Sequence, residues 1–432
     1  MSFSAFLKQR DPIPIFGYLL FIGMMAVGYY YNLTFVQLGL VDLGERILGL
    51  SQAQTARDMA LLALITCLVA LAFGRWMKIR GWSRQFLVKL RLAFWVVAAQ
   101  TLLTLAVTAI QNEAAFIAWI VLASLALGVG VPVTFSMTVD LIPRRDRGYA
   151  AAAITASAYF AAAVFSSRWE LAYFRTQVLG IMVLGLIGLG CLAFLKTPIT
   201  ARLAGQHKQP EFWFGRYTRR GLGGTAAINQ KVLIMIILMF GIYFVDSLGF
   251  LRLLATPVYM DSAWQSPLLG TRLFIGITHV IAALIAGVLY TALNERGLLF
   301  WIFGIFAMTH LMYTLNGRMD SNLAPPLAMP MLYAMAVSLY TVVNFAIWAD
   351  VSTPETISTN TSYGVALSGW TATFLSTALA IRWQESGMPL ERHLQIVDAL
   401  SMLFFLALIA LSFFPQQRTS PPGLAPGQRR SE

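Results

Sequence analysis

The nine residues Asp140-Leu-Ile-Pro143-Arg-Arg-Asp-Arg147-Gly148 crowd five charges between two apolar runs, 115–139 and 149–166, that carry none. An α-helix rises 1.5 Å per residue, so about 20 apolar residues cross a hydrocarbon layer roughly 30 Å thick. The first run is long enough for that, and the shorter, alanine-rich second run comes close. Two such runs joined by a short polar turn read as a helical hairpin, because inside lipid a spanning helix satisfies its own backbone polar groups.

Outward from this hairpin the same alternation repeats in both directions. Apolar spans are expected at 15–40, 58–77, 90–110, 177–196, 231–257, 272–293, 298–316, 326–349, 361–382 and 393–414, which with the central pair makes twelve. Composition agrees: 58% of residues are hydrophobic, 12% are charged and the mean hydropathy is +0.69, whereas a soluble domain carries about 25% charged residues. A β-barrel would alternate in segments of about ten residues, and no such pattern is present. Lys8 and Arg10 precede an apolar run too long for a signal peptide and followed by no small-residue cleavage site, so that run is the first span.

The net charge of +12 would suit a nucleic-acid partner if the basic residues formed a stripe. They instead follow the span alternation. With the N-terminus inside, twenty-one Lys and Arg fall in inner segments and eight in outer ones, the asymmetry that orients membrane helices. Both termini are therefore expected on the cytoplasmic side of a cell membrane, and nucleic acid is not expected as a partner. Cys67 and Cys191 both fall in spans and read as small buried hydrophobes, not as a disulfide or a thiolate site. The histidines, His207, His279, His310 and His393, have no metal-ligand spacing. No metal or cofactor is expected.

The longest connection separates the sixth and seventh spans. It contains Glu211-Phe-Trp-Phe-Gly-Arg-Tyr-Thr-Arg-Arg220, whose aromatic and basic mixture suggests a short helix in the headgroup region. The expected organisation is a first six-helix bundle over 1–197, a basic cytoplasmic linker over 198–230, a second bundle over 231–414 and a disordered cytoplasmic tail over 415–432. Weak matches recur between the halves: Gly28-Tyr-Tyr30-Tyr31 with Gly241-Ile-Tyr243-Phe244, and Asp140-Leu-Ile-Pro143 with Asp350-Val-Ser-Thr-Pro354. Such internal symmetry is expected of carriers built from paired bundles.

From Ile15 to Phe414 the chain resembles the major facilitator superfamily. Asp140, Pro143, Arg147 and Gly148 match that family's acidic-x-x-Pro-x-x-x-Arg-Gly pattern at every defining position. Gly74-Arg-Trp-Met-Lys78-Ile-Arg80-Gly81-Trp-Ser-Arg84 resembles its loop between the second and third spans, with Lys78 where an aspartate is usual. The resemblance implies an all-α membrane fold of two pseudo-symmetric six-helix bundles, and a cytoplasmic gate built from these residues. Because Lys78 cannot supply the family's carboxylate, Asn294-Glu295-Arg296-Gly297 in the second half, with Asp350, is expected to carry more of the gate. The fourth-span arginine and fifth-span Gly-Pro motif of many proton-coupled drug antiporters are missing, so a drug-efflux assignment is not supported.

A carboxylate inside a span is costly and tends to serve a cavity. Asp246, near the middle of the seventh span with Tyr243 and Phe250 one turn away on either side, is the main candidate for substrate or ion contact. The resemblance implies that the first, fourth, seventh and tenth spans line a central cavity. Tyr30, Asn32 and Gln37 in the first span, Arg252 in the seventh, and Ser338, Thr341 and Asn344 in the tenth complete the candidate set. A structural role in helix–helix bonding competes for each of them.

His393-Leu-Gln-Ile-Val-Asp398 has an acyltransferase-like His-x-x-x-x-Asp spacing, but no nucleophile or phosphate-binding motif accompanies it, and no nucleotide-binding loop occurs. The chain is not read as an enzyme. The expected function is a monomeric secondary carrier for a small organic solute, working by alternating access with possible proton or cation coupling. The competing reading is a non-transporting assembly factor or lipid-moving protein on the same scaffold.

Overall fold

A computed structural model of the chain describes residues 11–165, 169–206, 209–213, 215–218, 230–292, 295–319 and 324–413. Among them, twelve helices are long and apolar enough to cross a membrane: α1 Pro12–Ile47, α2 Gln52–Ile79, α3 Phe86–Ala109, α4 Glu113–Leu141, α5 Arg147–Phe165, α6 Leu171–Phe194, α7 Val232–Leu254, α8 Leu269–Ala292, α9 Gly297–Arg318, α10 Ala328–Asp350, α11 Ile357–Glu385 and α12 Leu390–Ala410. Every expected span has its helix. His207, Asn294 and the tail from 415 lie outside the described residues, as do the side chains of Glu295 and Arg296.

Local chemistry sets several ends. The Asp11 carboxylate accepts from the Ile13 amide and Pro12 occupies the first turn of α1, where a missing N–H costs nothing. Ser51 and Gln54 form a reciprocal capping box at the start of α2. Asn112 caps α4 through the Ala115 amide. Gly81, at φ 67°, ends α2 and leads into a short 3-10 turn, Trp82–Arg84. Two helices are locally widened into π turns, α1 over Asn32–Gly39 and α11 over Ser362–Trp370. Such turns cluster at functional places in helices.

The first six and last six spans meet along two seams, α5 against α8 and α2 against α11, while α3 packs on α6 and α9 on α12 at the periphery. Close approach at the seams needs glycine. A Cβ on Gly148 would stand 2.9 Å from the Gly287 carbonyl, and one on Gly74 would stand 2.6 Å from the Ser358 carbonyl. α10 is the most enclosed span, with 83% of its apolar window buried, against 22% for α6, whose outer face is left to lipid. Cys67 is buried as expected, but Cys191 is exposed on α6.

The linker contains the expected short helical turn and packs against the bundle. After a short helix, Pro198–Gln206, and a single turn, Pro210–Trp213, it folds under the bundle. Leu203 and Phe212 are fully buried. The Gly215 amide donates to the Ser352 carbonyl at 3.1 Å and the Tyr217 amide to the Asp350 carbonyl at 3.0 Å. α10 ends with unsatisfied carbonyls, as every helix does, and here the linker backbone supplies donors to them.

Candidate functional site: a carboxylate in a central cavity

A cavity of about 1110 Å³ lies between the halves. At the end opposite the linker it reaches Arg46, Gln52 and Gln265, and one arm runs between α1 and α6 past Phe16, Leu19, Gly185 and Gly188.

Asp246 of α7 lines the cavity and is half-buried. Its Oδ2 accepts from the Tyr340 hydroxyl at 2.6 Å, and its Oδ1 accepts a short hydrogen bond from Tyr333. Tyr333 and Tyr340 are seven residues apart on α10, so two helical turns bring both hydroxyls to one side. Around them the rings form a wall. Tyr243 meets Tyr340 edge-on with centroids 5.2 Å apart, and Phe250, Trp264 and Tyr333 contact one another at 5.8 to 5.9 Å. Across the cavity the Tyr29 hydroxyl lies 2.6 Å from that of Tyr159. Tyr159 stacks on His279 at 4.5 Å, whose Nδ1 is 2.8 Å from Ser338 Oγ.

The cavity gathers Asn32, Gln37, Tyr243, Asp246 and Asn344 from the sequence candidates. The buried Oδ1 of Asn32 has no hydrogen-bond partner among the described residues. The Oδ1 of Asn344 accepts from Trp348 Nε1 at 2.9 Å. Four candidates belong elsewhere. Tyr30 points away from the cavity and donates to Gln177 Oε1 of α6 at 2.6 Å, leaving its neighbours Tyr29 and Tyr31 on the lining. Arg252 donates to the Met388 carbonyl at 3.2 Å, beyond the cavity wall. Ser338 and Thr341 are buried in the seam, bonded to His279 and to the Val337 carbonyl respectively. The cavity face of α10 is instead Tyr333, Val337, Tyr340, Asn344 and Phe345, the first four spaced by four, three and four residues. The Ser338–Thr341 stripe lies about 100° around the same helix.

The linker end is closed by buried charge. Arg147 and Asp350 form an ion pair at 2.8 Å across the seam, with both side chains fully buried. Arg147 also donates to the Ala349 and Phe212 carbonyls, at 2.8 and 2.9 Å. Asp350 also accepts from the Tyr290 hydroxyl at 2.8 Å, and Arg216 of the linker lies 3.4 Å from it. Its counterpart in the first half is Asp140. It pairs with buried Lys89 of α3, which also donates to the Ser83 and Ser136 carbonyls at 2.9 and 3.2 Å. Pro143 is buried in the turn before α5, and its carbonyl accepts the Asp146 amide at 2.9 Å.

The Gly74–Arg84 loop is held with less buried charge. Lys78 and Arg80 are exposed, while Arg84 pairs with Glu355 across the seam, both largely in solvent. Ser358 Oγ donates to the Gly74 carbonyl at 3.0 Å and lies 2.5 Å from Ser83 Oγ, which packs this loop against α11. His393, from the acyltransferase-like spacing, bonds through Nε2 to the Leu248 carbonyl at 2.9 Å, which ties α12 to α7.

No family model matches the chain, and no curated protein matches it in sequence. Solved structures do match in shape. The human organic anion transporter MFSD10 (TETRAN) superposes with a TM-score of 0.61 at 13% identity, covering 92% of this chain and 98% of that one. The proton:xylose symporter XylE, of the major facilitator superfamily, bound to 6-bromo-6-deoxy-D-glucose, superposes with a TM-score of 0.62 at 12% identity, covering 93% and 96%. This chain has the major facilitator fold. Two six-helix bundles around a central cavity, closed at one end by the Asp140–Gly148 region, are the architecture that the motif implied.

Proposed function

We propose that the protein is a secondary carrier that moves a small organic solute by alternating access, with Asp246 as the group that meets the solute or a coupling ion. The observation that carries this reading is a half-buried carboxylate, held by two tyrosine hydroxyls inside a cavity closed at only one end of the bundle. A carboxylate is kept at such depth at a cost of several kcal/mol unless hydrated or paired, so a solvated, exchangeable site accounts for it.

In this proposal the two bundles, 1–197 and 231–414, rock about the Asp246 region. The linker end faces the cytoplasm, as the basic asymmetry argues, and the Arg147–Asp350 pair holds it shut while the other end is open. The fold neighbours, one an organic anion transporter and one a proton-coupled sugar symporter, support carriage on this scaffold without fixing the cargo.

The test is access from two sides. In a background with Cys67 and Cys191 replaced by serine, Asn32→Cys and Asn344→Cys are exposed in membranes to a membrane-impermeant thiol reagent. Labelling is expected from the side opposite the linker, and from the linker side after Asp350→Ala breaks the pair with Arg147. Failure of either cysteine to react from any side would remove the carrier reading.

A further inference from the structure

The chemistry of the cavity walls narrows what the carrier takes. Among the described lining residues the acidic groups are Asp42, Glu45 and Asp246, and the only permanently basic one is Arg46. Arg46 is already engaged: its Nε and Nη2 clasp Asp42 at 2.6 and 2.8 Å. The other basic side chain of the neighbourhood, Arg252, is turned to the Met388 carbonyl. His279 is fixed between Tyr159 and Ser338. Glu45 stands exposed at the mouth, and Asp246 stands in the interior with only neutral hydroxyl donors on it. Such donors stabilise a carboxylate without cancelling its charge.

The wall around Asp246 is aromatic. Tyr243, Phe250, Trp264, Tyr333 and Tyr340 all face the cavity, and aromatic faces attract cations through the ring quadrupole, most strongly where water is excluded. Further along, the cavity is apolar. The arm between α1 and α6 passes Gly23, Gly185 and Gly188, beside which a Cβ would find no atom within 4 Å. It also passes Leu19, which is 62% exposed.

We infer that the solute is a lipophilic organic monocation. Its charged centre sits at Asp246 against the Tyr243–Phe250–Tyr340 wall, and its apolar body extends into the arm between α1 and α6. The inference deepens the carrier proposal and rests on it for the word solute; the binding chemistry stands independently. An organic anion of the same shape would bring like charge beside Asp246. At about 4 Å and an effective dielectric near 20, that repulsion, against an equal attraction for the cation, separates the two on the order of a millionfold in affinity.

A pair of ions with one shape and opposite charge tests this directly: tetraphenylphosphonium and tetraphenylborate. Binding of each is measured by equilibrium dialysis on the purified full chain in detergent, with empty micelles subtracted. Saturable binding of the phosphonium at one site per chain is expected, with no protein-dependent binding of the borate. Asp246→Asn should weaken the phosphonium about tenfold or more, Asp246→Glu by no more than about threefold, and Tyr243→Leu by about threefold, the scale of one cation–π contact.

Equal binding of the two ions overturns the inference, as does phosphonium binding that Asp246→Asn leaves unchanged. If the Asn variant does not fold, the Glu and Leu variants decide by the same numbers. Failure here is separable from failure of the carrier reading. Two-sided cysteine labelling without charge-selective binding would keep the carrier and discard the cation, and charge-selective binding without labelling would do the reverse.

Discussion

The two ends of the molecule treat buried charge in opposite ways. At the linker end, Arg147 and Asp350 meet in a dry seam, and Tyr290 and the backbone carbonyls of Ala349 and Phe212 fill the remaining hydrogen-bonding positions. In the cavity, Asp246 has two neutral donors, no basic partner among the described residues, and open volume beside it. A fully paired charge in a tight seam is structural, and its removal is felt as lost stability. In the proposed carrier, a charge with room beside it serves the cargo, and its removal is felt by whatever enters that room.

The largest stability effect is therefore expected at the seam. Asp350→Ala should lower the unfolding free energy in detergent by about 3 to 5 kcal/mol, because it strands Arg147 in the interior. The double variant Arg147→Leu, Asp350→Leu should recover more than half of that loss, since an apolar pair has no uncompensated charge. A double variant no more stable than the single one would mean that the seam is not held by this pair.

Next comes Gly148→Val, which drives a branched side chain into the α8 backbone. A loss of about 1 to 3 kcal/mol is expected from overpacking, accompanied by faster labelling of Asn344→Cys from the linker side. Asp246→Asn inverts the pattern: ion-coupled accumulation in proteoliposomes should disappear while the melting temperature stays within a few degrees of the parent. A large drop in melting temperature would place Asp246 with the structural charges instead. The smallest effect belongs to Lys78→Ala. This residue replaces the usual aspartate and is exposed, so a change within about 0.5 kcal/mol is expected.

The spans were legible because lipid imposes one rule on every stretch of about 20 residues, whatever its neighbours. Asp246, Arg147 and Asp350 were legible for a related reason: a charge at membrane depth or in the Asp140–Gly148 pattern stands out against an apolar background. What sequence did not disclose was rotation about helix axes. Tyr30 is buried against α6 while Tyr29 and Tyr31 line the cavity, and the π turns that begin at Asn32 disturb the phase by which such faces are counted. On α10 the polar stripe Ser338–Thr341 looked like the lining because polarity was the available signal. The seam took that stripe, and the tyrosines took the cavity. The i, i+7 spacing of Tyr333 and Tyr340, beside the only carboxylate in α7, was the signal that could have found them. Lys89 as the partner of Asp140 depends on how α3 packs against the end of α4, which no spacing records.

The path of the linker has a consequence for how this chain could be divided. Gly215, Arg216 and Tyr217 are joined covalently to the first six spans but are bonded to the end of α5's partner helices, at Ser352, Asp350 and Tyr290. A chain cut between 219 and 229 would leave these residues on the first fragment as a tab, and the foot of α10 on the second as its slot. Two halves made separately would each carry one side of their own reassembly contact.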